Sequence, residues 1–371
     1  MRNNLCVHSR QVAMETVRKQ SLLITWIKLY QARKRSATLS LCGAALALAA
    51  IALFSLAAGS TAIPLQDMLW LITAAATNQP LTSSYDAGIF TILFTIRLPR
   101  ILMAGLVGSA LATAGAAYQG MFRNPLADPY LTGISQGAAL GAVAGFLLPA
   151  ALPVALIPVL GFLGAVISVM VVFFIARTGR TVPVTTLILG GVAVGAFLAS
   201  FTSYLLIVSG DKLHGIIFWL LGTFSLADWP RVAISAPYIL AGLTVLMLMA
   251  RPLNVMQLDE EQARQLGINV ERTKLLVLAA ATLATAAAVC FCGAIGFVGI
   301  IIPHAVRLVL GPDYRLLLPF SALAGAAFLI LADTAARTLL APTEIPVGVI
   351  TALIGAPFFL YLLQQKKRGI F

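Results

Sequence analysis

Charged residues are scarce in this sequence. Asp, Glu, Lys and Arg together make up 10% of its 371 residues, whereas soluble proteins carry about 25%. Hydrophobic residues account for 60% of the chain, and the mean hydropathy is +0.96. Such a composition excludes an ordinary soluble globular protein and indicates an integral membrane protein.

Signatures of nucleotide and metal binding are also missing. The dipeptide Gly-Lys does not occur, so the sequence has no G-x-x-x-x-G-K-S/T loop for phosphates. The four cysteines lack the spacing of a zinc site, and Cys42, Cys290 and Cys292 lie in apolar segments, which argues against a disulfide framework. We therefore expect no metal site and no cofactor in this chain. Any ATP, with its magnesium ion, would be bound by another subunit.

Ionisable residues are nearly absent from the middle of the apolar segments. Asp333 and Glu344 are the exceptions, and both are expected near an outer helix end. Proton- and sodium-coupled carriers usually keep ionisable groups at mid-membrane. Ion coupling is therefore disfavoured.

Apolar segments of membrane-spanning length recur along the chain. A crossing helix needs about 17 to 25 residues, and these segments lack the alternating pattern of a membrane barrel. We expect an all-α membrane protein with about ten transmembrane helices. The predicted spans are residues 38–58, 101–122, 131–149, 154–176, 185–208, 231–250, 274–292, 295–310, 316–337 and 346–363. Residues 212–229, between the fifth and sixth spans, are too short to cross and are interpreted as a re-entrant or interfacial helix.

Basic residues predict the orientation of these spans. If the N-terminus is cytoplasmic, ten spans return the C-terminus to the cytoplasm, and five of the 25 Lys and Arg fall outside, which agrees with the positive-inside rule. The net charge of +12 is then a topology signal and does not call for a nucleic-acid partner. Residues 1–37 form a basic cytoplasmic N-terminal extension, either an amphipathic helix on anionic membrane lipid or a disordered tail.

Small residues recur at helical spacing in three of the spans. The ladders that begin at Ala104 and Gly133 are expected to let helices pack closely. A third ladder has Thr202 beside it, so it could serve packing or line a path. Its members are Gly191, Gly195, Ala199 and Ser203.

A polar island separates the sixth and seventh spans. Asp259 can cap a short helix, Glu260 and Glu261 in its first turn favour the helix dipole and can pair with Arg264, and Gly267 can end it. The island is therefore either a short cytoplasmic helix that transmits force to a docked protein or an ordinary solvated loop.

Five long motifs occur in a fixed order along the chain. They are RLPRILMAGLVGSALATAGAAYQGMFRNPLADPYLTGISQGA (97–138), LDEEQARQLGI (258–268), GAIGFVGIIIPHAVRL (293–308), LADTAAR (331–337) and EIPVGVITALIGAPFFLYLL (344–363). Through them the chain, from about residue 37 to residue 368, resembles the FecCD family of ABC importer permeases. The N-terminal extension departs from the family pattern.

The resemblance implies an architecture and a set of partners. Residues 38–371 would form a ten-helix permease domain with inverted repeats in spans two to five and seven to ten. Two copies would form a homodimer in membrane lipid of the bacterial inner membrane, with two ATP-binding subunits on the cytoplasmic side and a periplasmic or lipid-anchored substrate-binding protein outside.

The resemblance also implies roles for particular residues. Residues 258–268 would be the coupling helix, which contacts the ATPase. The fifth and tenth spans would line the path, with Pro346 and Gly348 joining the third ladder. The outer arginines Arg97, Arg100 and Arg337 would receive acidic residues of the binding protein, and Arg97 and Arg100, three residues apart, are expected to share a helix face.

Alternatives remain for both function and cargo. An ion-coupled secondary transporter and an intramembrane enzyme compete with the permease, although His304, the one plausible catalytic imidazole, has no Ser, Cys or Asp partner nearby in sequence. We expect no catalytic residue in this chain. Ferric chelates, meaning siderophores or haem, are the expected cargo because they are the commonest in the family, and cobalamin is the alternative.

Overall fold

The computed structural model describes residues 38–59, 61, 63–77, 84–149 and 153–367. It divides the chain into two compact units, residues 1–47 and 48–371. The described part of the first unit is the start of helix α1 (Thr38–Ala57). The predicted N-terminal extension, residues 1–37, lies outside the described residues.

The described residues are mostly helical, and no β-strand occurs among them. A π-helical segment, Thr91–Arg97, joins α3 to α4, and two 3-10 segments, Pro129–Thr132 and Gly210–Lys212, precede α5 and α8. After α1 the helices are α2 (Leu65–Thr77), α3 (Ser84–Phe90), α4 (Leu98–Phe122), α5 (Ile134–Leu147), α6 (Leu156–Ala176), α7 (Val184–Ile207), α8 (Leu213–Leu220), α9 (Trp229–Leu248), α10 (Ala250–Met256), α11 (Glu260–Gln265), α12 (Val270–Cys292), α13 (Val298–Leu310), α14 (Tyr314–Thr338) and α15 (Val347–Lys367).

Seven helices among the described residues are long and apolar enough to cross a membrane. They are α1, the continuous helical stretch Asp86–Phe122, α6, α7, α9, α12 and α14. The three other predicted spans coincide with shorter apolar helices, Ile134–Leu147, Val298–Leu310 and Val347–Tyr361. The all-α membrane class is confirmed. Ten crossings, the inverted repeats, the cytoplasmic termini and the homodimer stay predictions.

The second predicted span begins much earlier than the sequence indicated. The helical stretch starts before Arg97 and runs through the π-helical segment into α4, where Pro99 stands near the start. Proline has no N–H to donate, so the regular ladder of helix hydrogen bonds is interrupted at that point. The predicted span began at residue 101, after Arg97 and Arg100, yet both arginines are buried within the continuous helical stretch.

The α4 helix lies in the middle of the packed core, and nearly all of its residues are buried. A side chain on Gly108 would overlap the backbone carbonyl of Gly325 in α14, and one on Gly115 would overlap Gly299 in α13. Small residues allow such close approach between membrane helices, where dispersion contacts replace the hydrophobic effect.

The glycine ladder in α5 likewise allows close packing against a neighbouring helix. Side chains on Gly137 and Gly141 would overlap the backbone carbonyls of Gly164 and Leu160 in α6. Before this helix, Gly133 has a φ of +80° and ends the 3-10 segment that begins at Pro129. The close packing that the ladder predicted is therefore present.

Candidate functional sites at the two ends of the helices

The polar island forms a short capped helix, α11. The Asp259 carboxylate accepts a hydrogen bond from the Glu260 backbone N–H at 2.7 Å. The Gly267 backbone, at a φ of +85°, ends the helix, and its N–H donates to the Arg264 carbonyl at 3.0 Å. Ala263 is fully buried and packs with Met256 and Val270. The interpretation as a helix rather than a solvated loop agrees with this structure, although α11 is shorter than residues 258–268.

Ion pairs tie α11 to the neighbouring helices. Asp259 pairs with Arg123, which follows α4, at 3.0 Å. Glu260 pairs with Lys274 of α12 at 2.8 Å and with Arg264 at 3.9 Å. Because Lys274 is buried, its pair with Glu260 is less exposed to solvent than the others. These pairs connect α11 to the end of α4 and to the first turns of α12.

The rest of α11 faces away from the protein. Glu261 is exposed, and the apolar side chains of Leu258 and Leu266, which flank the helix, are exposed as well. A cavity of about 530 Å³ opens beside α11 and is lined by Arg123, Arg264 and the segment that precedes α7. The end of the helices that carries α11 is called the coupling side below.

The opposite end of α4 carries a buried cluster of charges. The Arg100 guanidinium donates to both carboxylate oxygens of Asp333 in α14, with distances of 2.9 to 3.0 Å. It also donates to Glu344, before α15, at 2.8 Å. Arg337 Nε lies 3.2 Å from the same Asp333 carboxylate. This end is called the arginine side.

Arg97 does not join that cluster directly. Its guanidinium donates to the backbone carbonyls of Leu56, Ala57 and Thr61, near the end of α1. Arg97 and Arg100, which were expected to share a helix face, have different partners, because Arg97 bonds to the end of α1 and Arg100 bonds to α14. The exposed fractions of Arg97, Arg100 and Arg337 are 4%, 6% and 7%. Their guanidinium groups are used inside the chain, and a docking role stays a prediction.

The predicted path residues fall into two environments. Gly191 and Gly195 in α7 are buried, and a side chain on Gly191 would overlap the Leu131 carbonyl. Thr202 is also buried and donates to the Leu198 carbonyl in its own helix. Ala199 is half-buried and Ser203 is exposed. The ladder therefore packs against the chain itself at one end.

The remaining two path residues lie where α15 begins. Pro346 is half-buried and immediately precedes the helix. A side chain on Gly348 would overlap the Leu221 carbonyl after α8, so the short helix packs on the start of α15. The eight residues of α8 are too few to cross a membrane, as the sequence predicted.

An aspartate is buried in the turn between α4 and α5. Asp128 caps the Pro129–Thr132 segment and accepts a hydrogen bond from the Tyr130 backbone N–H at 2.8 Å. Burial raises the pKa of Asp128 to about 6, because a charged carboxylate loses its hydration, and the Tyr130 hydrogen bond offsets part of this effect. The pKa of Tyr130 is also raised, first by burial and then by the nearby Asp128.

Several functional candidates were not found from the sequence. Arg123 and Lys274 hold α11, and Leu258 and Leu266 give it an apolar surface. The sequence did contain a signal for the two leucines. Apolar residues in a polar loop are unusual unless a partner covers them, so they indicate a contact surface. The pair between Arg123 and Asp259 carried no such signal, because these two residues lie 136 positions apart in sequence.

Comparisons with known proteins agree with this geometry. A model of the FecCD transport family matches residues 45–365. The cobalamin import system permease protein BtuC of Halobacterium salinarum is 49% identical over 298 residues, 80% of this chain and 80% of its own length. The hemin transport system permease protein HmuU of Yersinia pestis is 41% identical over 291 residues, 77% of this chain and 86% of its own.

A solved structure gives the same result for the fold. It is an inward-facing conformation of a metal-chelate type ABC transporter, which matches with a TM-score of 0.77 at 31% identity and covers 88% of this chain and 98% of its own. The family model extends over most of the described helices, and two permease relatives match across more than three quarters of the chain. The chain is therefore an ABC importer permease and belongs to the FecCD transport family.

Proposed function

We propose that this permease carries a ferric chelate across the bacterial inner membrane, as one half of a homodimer driven by two separate ATP-binding subunits. The observation that carries the ATPase partner is the geometry of α11. It is capped, it is tied by ion pairs to α4 and α12, and its outer face is exposed. A docked subunit that moved α11 would move two core helices.

The exposed face of α7 supports a second copy of the chain. Val192, Phe197, Tyr204 and Ile207 are large and exposed, although Gly191 and Gly195 on the other face are buried. In a homodimer the exposed face would meet its counterpart, and a path between two copies would be lined by Ser203 and its neighbours. Substituted-cysteine cross-linking at Ser203 is the direct measurement, since a path residue near the two-fold axis would cross-link to its own copy.

The arginine side is the proposed docking surface for a substrate-binding protein. Within the cluster Arg100 and Arg337 balance the acids Asp333 and Glu344, and Arg97, close enough to Arg337 to feel its charge, adds one positive charge to the arginine side. Acidic side chains of a partner would be attracted to this positive charge. They would approach the cluster from the side of Glu344, which is its half-exposed member. The coupling side would then face the cytoplasm, as the distribution of basic residues predicted.

The proposal also concerns which compound the permease carries. Relatives of this chain are named for hemin and for cobalamin, and both are large metal chelates. We propose a ferric chelate, and the 49% identity to a cobalamin permease favours cobalamin as the second candidate. Uptake of radiolabelled haem, a ferric siderophore and cobalamin by cells that contain the complete importer separates the two.

The function is tested by separating coupling from assembly. A variant with Glu261→Lys and Leu266→Ser changes the exposed surface at α11 and leaves its cap and ion pairs intact. We expect transport to fall by at least about tenfold, the change that corresponds to loss of one good interface contact. Insertion and folded yield should be unchanged. Arg251→Gln, an exposed residue of α10, is the control.

Two results would contradict the proposal. The first is full transport by the α11 variant in the presence of the ATPase. The second is transport by the wild-type permease that continues without any ATPase subunit and follows a proton or sodium gradient, as an ion-coupled secondary transporter would require.

A further inference from the structure

An apolar groove of about 460 Å³ lies between α6, α9 and α12 on the arginine side. Its walls are mostly aliphatic and aromatic, and include Val159, Phe162, Ile234 and Tyr238. Phe162 and Tyr238 are in ring contact, with centroids 6.0 Å apart. The volume falls within the range of pockets that hold small molecules, about 300 to 1,000 Å³.

One end of the groove is polar. Asp228 caps α9 and accepts a hydrogen bond from the Arg231 backbone N–H at 2.8 Å. The Arg231 side chain lies 3.8 Å from the same carboxylate, which is longer than a hydrogen bond. Its Nη1 donates to the Leu226 carbonyl, while Nη2 makes no hydrogen bond to a protein atom among the described residues. Arg231 and Asp228 therefore lie side by side at the mouth, and each can make further hydrogen bonds.

A tryptophan at the mouth indicates that the mouth lies near a membrane surface. Trp229, half-exposed beside Arg231, donates its Nε1–H to the Phe94 carbonyl at 2.9 Å. Tryptophan is enriched at membrane–water interfaces. From Arg231 to Tyr238 the groove follows about 10 Å of helix, which stays within one leaflet of a hydrocarbon layer roughly 30 Å thick.

We propose that this groove binds a phospholipid whose headgroup carries both a phosphate and a primary amine. One acyl chain lies along Val159, Ile234 and Tyr238. The phosphate takes a charge-assisted hydrogen bond from Arg231, and the ammonium donates to Asp228. The Asp–Arg pair has no net charge, so it is complementary to a zwitterionic headgroup and not to an anionic one. The inference requires only that the chain spans a membrane and does not depend on cargo or coupling.

The test is lipid binding by the full chain, purified in detergent and stripped of lipid. Native mass spectrometry is carried out with phosphatidylethanolamine, phosphatidylcholine and phosphatidylglycerol of identical acyl chains. We expect one tightly bound phosphatidylethanolamine per chain, at an affinity about tenfold above phosphatidylcholine, whose quaternary ammonium cannot donate a hydrogen bond.

Matched variants assign the binding to the groove. Arg231→Gln should weaken phosphatidylethanolamine binding by about tenfold, whereas Arg231→Lys should retain most of it. Asp228→Asn still caps α9 but should erase the preference for phosphatidylethanolamine over phosphatidylglycerol. Ile234→Trp should fill the groove and abolish tight binding, while Leu240→Trp, an exposed position of the same helix outside the groove lining, should not.

Three outcomes would overturn the proposal. One is equal binding of the three lipids by the wild type. Another is unchanged selectivity in Arg231→Gln, which would make Arg231 an anchor at the membrane surface and nothing more. The third is a change of oligomeric state in Ile234→Trp with lipid binding unaltered, which would make the groove a contact between two copies.

Discussion

Arg100 and Asp333, 233 residues apart in sequence, form a bidentate pair that is almost completely buried. Arg337 approaches the same carboxylate, so one aspartate neutralises parts of two guanidinium groups. The pair joins the start of α4 to the end of α14. Breaking a buried pair by removing one partner is strongly destabilising because the other charge is left without compensation.

We therefore expect Asp333→Asn to lower the free energy of unfolding by about 3 to 5 kcal/mol. The expected readouts are a lower midpoint of thermal unfolding in detergent and a smaller yield of monodisperse protein. Asp211→Asn, an exposed aspartate in the Gly210–Lys212 segment, removes the same charge and is the control. Equal midpoints for the two variants would show that the cluster contributes nothing to stability.

Glu344 offers a test of docking that does not break the buried pair. It is the half-exposed member of the cluster, and Glu344→Gln increases the net positive charge by one. If an acidic binding protein docks there, its association rate should rise in this variant, and the gain should shrink at high salt because exposed charges are screened.

Surface plasmon resonance at low and high ionic strength measures both effects. Asp211→Asn makes the same change of charge elsewhere on the arginine side and should alter the rate less. An association rate that changes neither with salt nor with Glu344→Gln would show that this cluster has no electrostatic role in docking.

Close packing at Gly137 gives a third prediction. A methyl group there would overlap the Gly164 carbonyl, and backbone cannot move aside as a flexible side chain can. We expect Gly137→Ala to cost about 1 to 3 kcal/mol, the usual range for overpacking. Gly215→Ala in α8 meets open space and is the matched control. Thermal unfolding of the two variants side by side decides whether the α5–α6 contact requires glycine.

Asp128 gives a prediction about pH. Its pKa is raised to about 6 in the folded protein, from 3.8, mainly by burial. The folded state thus holds the proton more tightly than the unfolded state, and this stabilisation is complete below pH 4 and is lost as pH rises through about 6. The loss is on the order of 2 to 3 kcal/mol.

Asp128→Asn keeps the capping oxygen and removes the titration. The unfolding midpoint of this variant, relative to wild type, should therefore rise between pH 4 and pH 7. A difference between Asp128→Asn and wild type that stays constant across this range would mean that the carboxyl does not titrate there.

Local rules determined much of this protein before any contact was known. Long apolar runs can satisfy their backbone groups in a membrane only as helices, so the class followed from composition. The start and end of α11 followed from Asp259 and Gly267, because a cap bonds to a backbone group within a few residues and a positive φ favours glycine. The motifs between Arg97 and Leu363 indicated the family on the same local basis.

Tertiary structure decided everything that depends on distant partners. The sequence placed Arg97 and Arg100 three residues apart, yet their guanidinium groups bind different elements, near α1 and at α14. It marked Gly191 and Ser203 as one ladder, yet one is buried and the other exposed. The physical reason is that the helix repeat fixes which residues share a face of the helix, whereas packing against neighbouring helices determines which of those residues are buried.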